Sequence, residues 1–116
     1  MDEREFKRRT MQFGLDVIKL VGELPRSTAG IAIGRQLVRC GPSVGANYRA
    51  ACRARSTADM VAKLGIVEEE ADESAYWLEM IALADLLPRT RVEPCHKEAS
   101  EILAMVVASR KTLKGH

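Results

Sequence analysis

An all-α fold, an antiparallel up-down-up-down four-helix bundle forming a single domain over residues 1–116, is what this sequence predicts, on three observations. Apolar residues recur with alternating four-three spacing through four long segments, and the links between those segments are short. No stretch alternates with the two-residue period of a strand. The chain's 116 residues suffice for one core and are too few for two of ordinary size.

The first helix is expected from about Asp2 to Leu24, with its seam at Phe6, Thr10, Phe13, Val17, Leu20 and Leu24. It must stop at Leu24-Pro25, because a proline drives the preceding residue out of helical geometry. Ser27 or Thr28 then offers a hydroxyl to cap the second helix. That helix is expected from Thr28 to about Ala54, although it contains Gly41-Pro42, and an interior proline costs about 3 kcal/mol. Phase decides the matter. At 100° per residue Ile33, Leu37, Cys40, Val44, Tyr48 and Ala51 stay on one side of the cylinder on both sides of Pro42, so the reading is one helix, kinked or loosened there. Arg35, Arg39, Arg49 and Arg53 fall together on the opposite side.

The third helix, Ser56 to Leu87, contains no proline and one glycine, and Ser56 with Asp59 has the spacing of a capping box. Its main seam runs Met60, Leu64, Val67, Ala71, Ser74, Leu78, Ile81. A second seam, Ile66, Glu70, Glu73, Trp77, Met80 and Ala84, lies about 120° round the cylinder, so this helix needs two sets of neighbours. Arg89 to Val92 is expected as a loop, and Glu93-Pro94 opens the fourth helix, with Pro94 suited to the first helical position. Cys95, Ala99, Ile102, Val106, Ser109 and Leu113 form its seam, and Arg110, Lys111 and Lys114 suit a helix C-terminus.

Composition narrows the function classes. Hydrophobic residues make up 47% and charged residues 29%, which excludes a disordered chain, while only 4% are aromatic, so aliphatic side chains must fill the interior. A net charge of +2 means that any basic site is local. The charged start MDEREFKRR has no apolar run behind it, and no run is long enough to span a bilayer. Three cysteines without Cys-x-x-Cys spacing point to reduced thiols. Together these predict a cytoplasmic protein.

The middle of the chain carries spaced motifs in a definite order: Ser43-Val44-Gly45-Ala46-Asn47-Tyr48-Arg49, Lys63-Leu64, Glu70-Ala71-Asp72-Glu73 and Tyr76-Trp77-Leu78-Glu79, after Arg39-Cys40-Gly41-Pro42. Over about residues 20 to 88 this strongly resembles the bacterial four-helix-bundle family encoded in intervening sequences of 23S ribosomal RNA genes. The resemblance implies a homo-oligomer, a ring-shaped pentamer, and RNA association suggested by genomic setting. It also implies kinship in architecture with the pentameric accessory proteins of diversity-generating retroelements, which bind nucleic acid through a basic surface. No catalytic residues come with the family. This chain departs from the commoner pattern after Tyr48-Arg49, where Ala50, Ala51 and Cys52 replace an acidic residue and leave the region more basic.

The sharpest candidate site is the arginine stripe, Arg35, Arg39, Arg49 and Arg53. Guanidinium groups grip phosphates bidentately and stay charged, so the stripe suits RNA or DNA; its other reading is salt bridging to the acidic middle of the third helix. Asn47, Tyr48, Glu70 and Glu73 are expected to form a buried polar network that fixes helix register, and Trp77 with Met80 to face either the core or, as oligomerisation favours, a neighbouring subunit.

Enzymatic readings fare poorly. Glutamates on facing helices invite a di-iron centre, but with only His96 and the terminal His116 the histidine half of that ligand set is missing, and Cys95-His96 falls short of the three ligands zinc needs. Arg49, Arg53 and Arg55 near Cys52 would favour its thiolate, yet no base stands by, so the thiol reads as inert. Gly30-x-x-x-Gly34 lacks the lysine of a phosphate loop. The expectation is a non-enzymatic, cofactor-free protein whose partners are copies of itself and RNA or DNA, with no membrane and no small-molecule substrate; a protein-binding scaffold is the alternative.

Overall fold

The structure is a computed structural model and describes residues 2–115. Four helices, α1 (Glu3–Gly22), α2 (Thr28–Ala51), α3 (Thr57–Leu83) and α4 (Arg89–Lys114), form a rod of about 47 × 20 × 19 Å. Side chains start the first three. Asp2 accepts the Glu5 N–H at 3.2 Å, Ser27 accepts that of Gly30 at 3.0 Å, and Ser56 accepts that of Asp59 at 3.0 Å. Each oxygen satisfies an amide that has no partner within its own helix.

Neighbours in sequence pack closely, whereas α1 and α4 approach each other less closely and α1 and α3 lie diagonally across the core. The sparse α1–α4 edge is joined by charge: Arg9 holds Glu98 through two bonds of 2.7 and 2.8 Å and Glu101 at 2.8 Å, and Arg91 holds Glu23 at 2.6 and 2.7 Å. The core between the helices is aliphatic, as the low aromatic content requires. One aromatic pair lies within it, Phe6 edge-on to Tyr48 with ring centres 4.6 Å apart. Buried Thr10 and Ser74 turn their hydroxyls onto carbonyls of their own helices, Phe6 at 2.9 Å and Glu70 at 2.8 Å.

α2 runs unbroken through Pro42, and Leu37, Cys40, Val44, Tyr48 and Ala51 are buried on both sides of it, the phase the spacing predicts. The proline is accommodated by the neighbour as much as by the helix. Gly14 of α1 lies against it, so close that a Cβ on Gly14 would come within 3.2 Å of the Pro42 Cα. At Gly41 a Cβ would meet Val17 at 2.7 Å. Here two backbones approach as only glycine allows.

Four boundaries differ from expectation. α1 ends at Gly22 instead of Leu24, and α2 at Ala51 instead of Ala54. α3 stops at Leu83, four residues short of Leu87. It ends in a Schellman turn: Asp85 takes a left-handed conformation, φ 56°, the Leu86 N–H reaches the Ile81 carbonyl at 3.0 Å and the Asp85 N–H reaches Ala82 at 3.2 Å. α4 begins at Arg89, so Arg89 to Val92 is helix and Pro94 sits inside the helix instead of at its first position. The carbonyl deprived of a donor by Pro94 belongs to Thr90, an exposed residue in the first turn of α4.

Candidate nucleic-acid interface

Arg35 and Arg49 are exposed on the outer side of α2, whereas Arg53, expected on the same helix, lies in the turn just past its end and is also exposed; among the described residues none of the three has a carboxylate within salt-bridge distance. From Arg35 to Arg49 the stripe extends about 21 Å at 1.5 Å per residue. Arg39 differs. Its guanidinium bonds the Glu73 carboxylate and lies 3.5 Å from that of Glu70, both on α3. The salt-bridging reading holds at one residue: Arg39 is committed to α3, and among the described residues the other three arginines have no carboxylate partner. The helical wheel explains the division, because Arg39 leans toward α3 and Arg49 toward α1.

Glu73 is a junction. Besides Arg39 it accepts the Trp77 indole N–H at 3.1 Å, and the Arg39 guanidinium first, then the indole, hold its carboxyl below the ordinary value of 4.5. Asn47 and Tyr48 do not join this group. Asn47 spends its amide on the Ser43 carbonyl of its own helix, 2.8 Å away, and Tyr48 packs on Phe6, its hydroxyl pushed well above its ordinary value by burial and then by the neighbouring Cys52. The expected four-residue network is thus split into two partly exposed glutamates that share Arg39 and two separate α2 side chains. Trp77 and Met80 are half-buried; Trp77 leans on the core and stands edge-on to exposed Tyr76, ring centres 5.0 Å apart.

Beside the arginines runs a groove between α1 and α2, lined by Lys7, Met11, Leu15 and Ile18 on one wall and Pro42, Ala46 and Arg49 on the other. Met11, Leu15 and Ile18 are each about half exposed, at 53%, 52% and 51%. They lie outside the buried seam of α1, on its outward side. Their four-three spacing was the available signal.

The cysteines are free, with Cys40 and Cys95 buried. At Cys52 burial pushes the thiol above its ordinary value, and no arginine acts to lower it, because Arg49 and Arg53 point away to solvent. One Glu-x-x-His spacing does exist, Glu93 to His96, but the nearest carboxylate to His96 is that of Glu79, at 3.9 Å. Among the described residues no three His, Cys, Asp or Glu side chains converge on one point. His116 lies outside the described residues. Among the described residues no helix is long and apolar enough to cross a membrane.

These features define a class, an antiparallel helical bundle with an arginine-bearing outer face. Residues 2–108 match the model of the 23S rRNA-intervening sequence protein family, and the chain belongs to that family. The match extends beyond the motif-bearing middle to both outer helices. The fold is similar to the crystal structure of a protein with unknown function from the S23 ribosomal protein family of Bacteroides thetaiotaomicron VPI-5482. The TM-score is 0.84 at 30% identity, over 90% of this chain and 97% of that one. No curated protein matches the chain.

Proposed function

We propose that this protein is a non-enzymatic cytoplasmic homo-oligomer, pentameric as its family resemblance implies, that holds the backbone of RNA or DNA on the outer face of α2. One observation carries the reading: Arg35, Arg49 and Arg53 keep their guanidinium groups in solvent although α3 offers an acidic middle close by. Repetition of the stripe around a ring would multiply weak phosphate contacts. Exposed aromatic residues are scarce, which favours contact with phosphates over base reading.

The scaffold reading has its own support in the apolar groove, whose half-exposed Met11, Leu15 and Ile18 suit a protein partner. Titration of a labelled single-stranded RNA at about 50 mM salt separates the two. Binding whose salt slope falls by roughly 2 on changing Arg35, Arg49 and Arg53 to alanine supports the nucleic-acid role, since each phosphate contact adds about 0.7. No binding, or binding indifferent to that change, overturns it and leaves the scaffold.

A further inference from the structure

We infer that the α1–α2 groove is the seat of a second copy of this chain, and that what enters it is the outward stripe of α3. This rests on the self-association part of the reading above; in the assembly it gives Arg35 and Arg49 carboxylate partners, where the nucleic-acid part gives them phosphates.

The stripe is formed by Ile66, Glu69, Tyr76, Met80 and Leu83, which fall within about 100° of one another on the side of α3 away from the core. Ile66, Tyr76 and Leu83 are exposed to 43%, 53% and 62%, the last being the most exposed large apolar residue among the described residues. The groove opens outward between α1 and α2, and the stripe is on the side of α3 turned away from the core, so neither covers the other within one molecule.

They are matched in charge. Arg49 and Lys7 line the lower groove and Arg35 its upper end. Glu69 and Asp72 of the stripe's margin are exposed and have no cationic partner among the described residues. They are matched in length as well: from Ile31 to Arg49 the α2 wall extends about 27 Å, and from Ile66 to Leu83 the stripe extends about 25 Å. Opposite charges beside apolar surfaces of similar length favour a specific interface. Because the two surfaces differ, the contact is head-to-tail, and repeating it closes a ring when the rotation per copy divides the circle.

Two exposed substitutions test this. Leu15→Glu spoils the groove and keeps the stripe; Tyr76→Arg spoils the stripe and keeps the groove. Light scattering after gel filtration should find the wild type oligomeric and each variant monomeric. An equimolar mixture should form a one-to-one heterodimer and nothing larger, since one intact stripe meets one intact groove. Met11→Glu and Leu83→Arg should repeat the pattern, with wild-type helical content certifying the folds. Variants that keep the wild-type mass, or a mixture that stays monomeric, overturn the interface while self-association stands. A monomeric wild type removes both.

Discussion

Arg39 of α2 and Glu73 of α3 are bonded through side chains at the middle of both helices, and the Trp77 indole closes on the same carboxylate oxygen from one turn away. The pair is half exposed, so solvent screening keeps its contribution to stability small.

Its pH dependence has a definite sign. The Glu73 carboxyl is held below its ordinary value of 4.5, so its contribution is present above about that pH and is lost as pH falls through the lowered value. Glu73→Gln should therefore lose less stability than wild type between pH 5 and pH 3 in denaturant titrations. A residual slope remains, since Glu5, Glu23 and Asp59 are lowered by arginine and lysine partners too.

The same pair ranks the arginines as RNA ligands. Arg49→Ala should weaken RNA binding more than Arg39→Ala, because the Arg39 charge is already shared with two carboxylates. Glu73→Gln should raise affinity modestly by releasing it. Equal effects of Arg39 and Arg49 would contradict this ranking.

Gly41→Ala should destabilise the bundle by about 1–2 kcal/mol, the strain of overpacking exceeding the gain in helix propensity of about 1. The added Cβ would lie 2.7 Å from a Val17 side chain that is fully buried and has nowhere to turn. Gly22→Ala is the control, with nothing within 4 Å, and should leave stability unchanged or raise it. Thermal unfolding of both variants checks the contrast.

Asp85→Val should cost about 1–2 kcal/mol, whereas Asp85→Gly should cost nothing, because only the branched side chain resists a φ of 56°. Thermal melts of the two variants would separate this turn chemistry from loss of the aspartate charge, which both share.

Much of this architecture is legible in the residues. The α3 seam from Leu64 to Ile81 is buried as its spacing predicts, Ser27 and Ser56 cap as their chemistry predicts, and the phase argument carries α2 through Pro42. The end of α3 was illegible because Asp85 fills a place where glycine is the usual signal. The start of α4 was misplaced because Pro94 resembles a first-turn residue, and only tertiary packing of Val92 draws the helix back to Arg89. Within the candidate site, a wheel placed four arginines on one face but could not tell which would reach across to α3. The 40° tilt of Arg39 toward its neighbour matters only once that neighbour's glutamates are in place.

Trp77 is the chain's one tryptophan, and its ring N–H rests on a carboxylate that in turn holds the neighbouring helix. The protein thus contains an intrinsic optical probe at the α2–α3 joint. Its fluorescence should respond when acid neutralises Glu73, or when Arg39 is drawn off by an added polyanion, so events at that joint can be followed in solution without any attached dye.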